Sequence, residues 1–391
     1  MDKFFEKFPG LNSVRNLAFI FASIIILATI HRLSLGEHTF NNFSIFRFSF
    51  FNLINGNDLY VLHPNQYNDL YKYSPTFALL MAPFYFLPFY VGIFIWNLLN
   101  ALFVFWAVNR LSISEKAKSF ILIFVAIELL SSIQNAQSNG IMAGLVIGVF
   151  TAFERKQIVL AALLICIGFY LKIFAVVAGI LFLFYDQKTK FIFCILFWGL
   201  LFGLLPMCFV GADGLVLQYK SWFNMLRNDP SHELNYSFMT LTQKWFRFSA
   251  ADSWYLIPGA ILLMLPLFRI QHWKNSAFRL LYLSLLLIWI VIFNHKAESP
   301  TYVIAVCGVA ISLLIIPNTG LRKTLAWFVF IFTILSPTDF FPAFLRENLW
   351  QPYCLKALPC IIVWALLTYF LLFKKEFEIR HLCIKEKIKP E

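Results

Sequence analysis

The chain has 391 residues, of which 60% are hydrophobic, 19% aromatic and 13% charged. A soluble domain averages about 45–50% apolar and about 25% charged residues, so a water-soluble globular enzyme is excluded, as are disorder, a collagen-like repeat and a disulfide scaffold. The seven cysteines (Cys166, Cys194, Cys208, Cys307, Cys354, Cys360, Cys383) form no CxxC pair and read as small core residues rather than metal ligands or staples.

In chain order, apolar segments run over about 17–31, 75–109, 119–133, 139–153, 157–185, 191–210, 254–268, 278–293, 301–316, 324–336 and 354–373. The polar breaks between them alternate in charge. One set carries Arg110, Lys116 and Lys118, then Arg155 and Lys156, Lys188 and Lys190, Arg269 and Lys274, and Arg322 and Lys323. The tail 374–391 adds Lys374, Lys375, Arg380, Lys385, Lys387 and Lys389. The other set is nearly free of them: 134–138 has none, 294–300 has Lys296 and 337–353 has Arg346. That asymmetry puts the basic set and both termini in the cytoplasm. The net charge of +12 is therefore topological, and no nucleic-acid partner is expected.

The expectation is an all-α polytopic membrane protein, a single domain over 1–391 with about 12 transmembrane helices. Loops 32–74 and 211–253 fall outside. The 35 residues of segment 75–109 must then cross once, with 75–88 broken at Pro83 and at Leu87-Pro88 before a full helix over 89–109. Segments 139–153 and 173–185 are shorter than the ~20 residues of a straight span, which a bundle tolerates beside a cavity. No cleavable signal peptide is expected. No internal repeat is visible, so the inverted-repeat architecture of transporters has no support.

Loop 32–74 is the most informative stretch. Phe43, Phe46, Phe50, Leu53 and Ile54 share a helical face with Ser49 and Asn52 opposite, which predicts an amphipathic helix lying in the membrane interface. Asn41 and Asn42 precede it as candidate caps, and Gly56-Asn57-Asp58 reads as a turn. Next come Tyr60, Tyr67, Asp69, Tyr71, Lys72 and Tyr73, leading into Ser74-Pro75. Aromatics interleaved with a carboxylate and a cation suit stacking on sugars and gripping a phosphate. The same strip also suits an aromatic belt anchored at the headgroups.

The run Asn42-Phe43-x-x-Phe46, then Gly56-x-Asp58-x-Tyr60, then Tyr73-Ser74-Pro75 resembles the first outside loop of glycosyltransferase family 87. Gln137-Ser138-Asn139 resembles that family's Gly-Gln-x-Asn element. Leu171-Lys172 resembles its Leu-Lys-Pro element, with Ile173 where the proline would stand. The resemblance covers roughly 40–180. It implies integral-membrane transferases of the C-type fold that take sugars from polyprenyl-phosphate donors. Such a transfer needs a base for the acceptor hydroxyl and cationic or N–H groups for the departing phosphate. In the family the base resembles an aspartate of an Asp-Phe pair, and the matching residue here is Asn42. An amide cannot accept a proton at neutral pH. Another carboxylate (Glu37, Asp58 or, first, Asp69) replaces it, or the alignment is shifted, or the chain binds a lipid-linked sugar without transferring it.

A second constellation is Asn294-His295-Lys296-Ala297-Glu298-Ser299-Pro300. His295 can donate to a phosphate, Lys296 can neutralise it and Glu298 is a further candidate base. A solvated turn with a local Lys–Glu pair is the plainer reading. The family has a Ser-Pro element with a histidine in this region, so Ser299-Pro300 carries over the location only. Inside apolar runs, Glu128 and Lys172 each need a partner or water. Glu128 suits either a polar cavity with Gln134 and Gln137 or a hydrogen-bond clamp between helices. Lys172 suits a lipid phosphate. Trp222, Asp229, His232, Glu233, Trp245 and Arg247 of loop 211–253 name no chemistry by their spacing. Neither metal-ligand spacing nor a phosphate-binding glycine loop is present, and no metal or other cofactor is expected.

The function that emerges is a transferase of the inner or plasma membrane. It moves a hexose, by resemblance mannose, from polyprenyl phosphate to a lipid or glycan acceptor on the outer face. Asp69, Asp58, Glu298 and position 42 are the candidate catalytic residues. Tyr71, Lys72, Tyr73, Gln137, Asn139, Lys172, His295 and Lys296 are the candidate binding residues. Membrane lipids are the other partners. A silent lipid-glycan-binding relative and a secondary transporter are the alternatives, and a transporter would place its charges at midplane between paired repeats.

Overall fold

The computed structural model describes residues 8–228, 235–316 and 319–378. Asp229, His232, Glu233, Arg380, Cys383, Lys385, Lys387 and Lys389 lie outside them. The regular structure of the described residues is all helical, with no strand among them. Among the described residues three helices are long and apolar enough to cross a membrane: Val14–Ser34, Phe89–Asn109 and Glu115–Gln134. Lys188–Leu204 and Met207–Asn228 form a pair bent by 89°, and seven further apolar helices have 10–17 residues. Phe193, Phe197, Leu200 and Leu204 of Lys188–Leu204 are each more than half exposed. Apolar faces of that kind suit lipid rather than water.

The chain forms two compact units: a first over Ile20–Ala107 and Leu130–Ser231, and a second over Met1–Phe19, Val108–Leu129 and His232–Glu391. In the first unit, Asn139–Glu154 is buried from Asn139 to Phe153. Its glycines explain how. A Cβ at Gly144 would stand 2.5 Å from the Phe103 backbone, and one at Gly148 would stand 2.6 Å from the Trp106 ring. Small residues four apart let two helix backbones approach, so a helix shorter than a full span is enclosed by protein. In the second unit, Tyr302–Ser312 is buried throughout and lies against Ser276–Ile292, with Gly308 close to the Ser284 carbonyl.

Segment 75–109 breaks where its prolines predict. Pro75–Leu80 and Ala82–Phe86 are short, and Phe89–Asn109 follows Pro88. Ser74 caps the first of them, its Oγ accepting from the Phe77 N–H at 3.1 Å, with Pro75 at the first helical position. The carbonyls freed at the Leu87 break are met by a side chain from the loop: Arg47 donates to Phe84, Tyr85 and Leu87. The run 173–185 winds as 3-10 turns over Ile173–Phe184 instead of continuing the helix Ile158–Leu171.

Three expectations about 32–74 and 211–253 need correction. First, Asn41 and Asn42 are not caps: the helix Asn41–Ile54 begins on them after Phe40, and the Asn41 amide bonds across the loop to Asn68 while that of Asn42 bonds to the Asn135 carbonyl. Second, the face opposite the phenylalanines is not turned to water. Ser49 and Asn52 are fully buried, while Ile54 is 38% exposed. Asn52 is held by the Gln66 and Asn57 amides, a polar lining that hydropathy reads as a wet face. Third, 211–253 is not one loop. After a kink at Gly211 (φ +70°) the helix continues to Asn228, and Phe238–Phe246 is helical as well. Leu215, Gln218, Trp222 and Met225 recur at helical spacing and are buried, a period overlooked because the surrounding residues are polar.

Phe43, Phe46 and Phe50 pin the helix Asn41–Ile54 down. Phe43 packs edge-on against Phe84 and Phe89, and Phe46 against Tyr73, Phe77 and Trp96. Fully burying a side chain of this size is worth about 1.5–3 kcal/mol, and each aromatic pair about 0.5–1.5 more. The helix ends on Gly56 (φ +70°), with the Asn57 N–H bonded back to the Asn52 carbonyl. Glycine reaches that left-handed conformation without strain, so the turn at 56–58 forms as the sequence predicts.

Candidate active site

Within the first unit, Asn41 clasps the far side of its own loop. Its Oδ1 accepts from the Asn68 N–H at 2.8 Å, and its Nδ2 donates to the Asn68 carbonyl. The neighbouring Asn42 donates its Nδ2 to the Asn135 carbonyl at 2.9 Å. A carboxylate could not make that bond. The amide at 42 therefore holds helix Asn41–Ile54 to the end of helix Glu115–Gln134.

The Asn41 clasp carries Asp69 one residue beyond Asn68, to the end of the helix where position 42 stands. Asp69 has φ +91°, a left-handed backbone that a non-glycine residue adopts at a cost of about 1–3 kcal/mol. Its Oδ1 accepts from the Leu70 N–H at 2.7 Å, and its Oδ2 lies 3.7 Å from the Lys72 Nζ. The Asp69 side chain is 47% exposed. That exposure leaves the carboxylate open to solvent or substrate.

Asp58 is spent on architecture. Its Oδ1 accepts from the Tyr60 N–H and its Oδ2 from the Ser221 hydroxyl, both at 2.9 Å. The His63 Nε2 donates to its carbonyl. Beside it, Gln218 donates to the Asn57 carbonyl and accepts from the Leu59 N–H. Glu37 sits exposed on the short turn before the helix.

The tyrosine strip divides into scaffold and surface. Tyr71 is fully buried and donates to the Ser74 carbonyl at 2.7 Å, and Tyr60 donates to the Tyr73 carbonyl at 2.9 Å. Burial raises the Tyr60 and Tyr71 phenols well above their ordinary values and pushes Tyr67 up to about 12, so all three stay protonated. Tyr73 is half-buried, and the Lys172 Nζ lies 5.9 Å from its ring centroid. That ammonium donates to the Asn139 Oδ1 at 2.7 Å, whose Nδ2 donates on to the Gln137 Oε1 at 2.9 Å. Ser74 Oγ also donates to the Tyr170 carbonyl. Loop 32–74 and the segments 137–139 and 170–172 therefore meet around one partly exposed cation.

In the second unit, the 294–300 break is built as a tight polar turn. The Asn294 Oδ1 accepts from the Lys296 N–H at 3.0 Å, and Ala297 is fully buried with its carbonyl accepting from the Tyr236 N–H at 2.7 Å. His295 Nδ1 lies 3.4 Å from an Asp252 carboxylate oxygen, with both side chains about half exposed. Glu128 takes as partner Lys356, which donates to its Oε1 at 2.5 Å with both side chains almost wholly buried. Glu128 is therefore clamped to Lys356, and its second oxygen accepts no hydrogen bond.

Asp252, Ser221, Gln218, Asn135 and Lys356 were not singled out from the sequence. Gln218 carried a signal in its helical spacing with Leu215 and Trp222. The others sit 43 to 228 positions from their partners, and no local pattern marks them. Among the described residues no group of three or more His, Cys, Asp or Glu side chains is placed to hold a metal ion.

The sequence pattern of glycosyltransferase family 87 matches residues 71–317, well over half of the chain. No curated protein matches it.

Proposed function

The chain belongs to glycosyltransferase family 87, and from that premise we propose that it transfers a hexose from a polyprenyl-phosphate donor to a lipid or glycan acceptor at the outer face of the membrane, with Asp69 as the base. The enzyme is a glycosyltransferase and, by its apolar helices and its family, an integral membrane protein. The finer reading has about twelve spans, cytoplasmic termini and a helix Asn41–Ile54 near the outer interface, the chain working as a single transferase domain. Mannose is the first sugar to test, on family grounds alone.

The observation that carries the reading is the Asn41–Asn68 clasp. It keeps an exposed carboxylate beside the residue where the family's base would stand, while Asn42 itself is committed to the Asn135 carbonyl. In the proposed step an Asp69 oxygen takes the proton of the acceptor hydroxyl as the hydroxyl oxygen attacks the anomeric carbon. The bond from that carbon to the phosphate oxygen breaks, and the polyprenyl phosphate leaves. Lys72 and Lys172 offset its charge, with Gln137 and Asn139 keeping the Lys172 ammonium in place. Tyr73 offers its ring to the sugar, and Tyr71 supports it from inside. A positioned base contributes roughly 10²–10⁴-fold. In the second unit, His295 and Lys296 are kept as candidate binding residues and Glu298 as the alternative base, with an Asp252 carboxylate oxygen 3.4 Å from the His295 Nδ1.

The test is sugar transfer from labelled polyprenyl-phosphate mannose and glucose in membranes, for the intact chain, Asp69→Asn and Glu298→Gln. Loss of transfer in Asp69→Asn alone supports the assignment. Loss in Glu298→Gln alone moves the base to the second unit. Transfer by both variants at the parent rate removes both carboxylates, and no transfer from either donor by the intact chain removes the donor class.

A further inference from the structure

Glu128 and Lys356 are buried to 1% exposure in apolar surroundings, a placement that polypeptides avoid unless the charges are paired. Their pair is not isolated. The Lys356 Nζ also donates to the Thr333 carbonyl at 3.0 Å, and the Thr333 hydroxyl returns a bond to the Lys356 carbonyl at 2.9 Å. The same ammonium lies 5.2 Å from the ring centroid of Tyr302, itself fully buried. Tyr302 sends its hydroxyl to the Tyr236 carbonyl at 2.8 Å. The Tyr236 N–H in turn donates to the Ala297 carbonyl at 2.7 Å, between Lys296 and Glu298.

A second line runs beside the first. Cys354, two residues before Lys356, has φ +54° and is 1% exposed. Its Sγ contacts the carbonyls of Asn235 and Ser237, on either side of Tyr236. The backbone at 235–237 is thus gripped at four points: two by Cys354, one by Tyr302 and one by Ala297. A ring held under a cation, with its hydroxyl fixed on a backbone carbonyl, has little freedom to shift.

We propose that the buried Glu128–Lys356 pair is a positioning device that sets the 294–300 break through Tyr302 and Tyr236, and with it the reach of Lys296 and Glu298 toward a phosphorylated sugar. Glu128, Lys356 and Tyr302 touch no substrate in this scheme. They act through the backbone at Ala297. The part concerning substrate rests on the function proposed above; the mechanical part does not.

Two variants separate these parts. Tyr302→Phe removes one hydroxyl and leaves the ion pair. The double variant Glu128→Leu/Lys356→Met removes both charges at similar volume, a replacement that buried pairs often tolerate. Each is digested in detergent with a lysine-specific protease, comparing cleavage after Lys296 with cleavage after Lys244 and Lys274 in the same sample. A thermal midpoint close to the parent's confirms folding. Both variants are expected to raise cleavage at Lys296 about tenfold with the other two sites unchanged. In the transfer assay they are expected to raise the donor KM about tenfold while kcat stays within about twofold, the loss one buried hydrogen bond can account for. Parent-like cleavage at Lys296 in Tyr302→Phe overturns the proposal. Faster cleavage with unchanged KM upholds the device and removes the 294–300 break from the transfer site.

Discussion

The Asp69 carboxylate stands 3.7 Å from the Lys72 ammonium with about half of its side chain in solvent, while that of Glu128 stands 2.5 Å from Lys356 with 1% exposed. Both are acid–lysine pairs in a chain poor in charge, and burial sets them apart physically. In the dry pair each ion has lost its water, so neither can let go without leaving an uncompensated charge. In the wet pair water screens the attraction, which is worth about 0–1 kcal/mol. Asp69 can therefore give an oxygen to a substrate hydroxyl at little loss. Glu128 cannot, and it serves as structure.

The sharpest way to break this contrast is on the wet side. Asp69→Asn keeps shape and hydrogen bonding and removes the proton acceptor. Transfer is expected to fall by roughly 10²–10⁴-fold in kcat, about 2.7–5.4 kcal/mol of barrier, with donor KM little changed. Steady-state rates with saturating donor check it. A fall in affinity with kcat intact would make Asp69 a binding residue instead.

On the dry side, Glu128→Ala strands the Lys356 ammonium and is expected to destabilise the fold by about 3–5 kcal/mol. Unfolding of the purified chain in detergent measures it. A loss below about 1 kcal/mol would mean that water reaches the pair, and the two regions would no longer differ in kind.

Asn42→Asp tests whether position 42 still has room for the family's base. The carboxylate would face the Asn135 carbonyl that the amide now satisfies. The bond is exposed, so losing it costs about 0.5–1.5 kcal/mol. Stability is expected to fall by that order and transfer not to rise. Faster transfer than the parent's would show that the amide is a recent loss and not a replacement.

How much of this was legible in the sequence follows the same division. Local patterns read correctly: the prolines that break 75–88, the Gly56 turn, and Asp69 beside Lys72 three residues on. The family itself is upheld by the match over 71–317, which includes the motifs at 73–75, 137–139 and 171–172 but begins after those at 42–60. What stayed hidden is long-range. Lys356 lies 228 positions from Glu128, and Ser221 lies 163 from Asp58. Asp58, a candidate base by its position in the motif, has its second oxygen on that serine. Ser49 and Asn52 read as a wet face because hydropathy cannot distinguish water from buried amides such as Gln66. Asn41 and Asn42 read as caps because residue type alone does not reveal Asn68 and Asn135.

The smallest effect decides whether Lys72 belongs with Asp69 or with the scaffold. Lys72→Met removes a cation that is 26% exposed and keeps most of the side-chain bulk. If the pair is as weak as its distance and solvent contact require, unfolding shifts by less than about 1 kcal/mol. The backbone at this position is held independently, since the Lys72 carbonyl accepts from the Trp222 indole at 3.4 Å. Donor KM is nevertheless expected to rise several-fold, because a charge-assisted bond to a phosphate is about twice as strong as a neutral one. Raising the salt concentration should narrow the gap between variant and parent, as screening weakens what the lysine adds. A large stability loss with unchanged KM would reverse the assignment: Lys72 would then be holding Asp69 in its left-handed turn, and the cation for the leaving phosphate would be Lys172 alone.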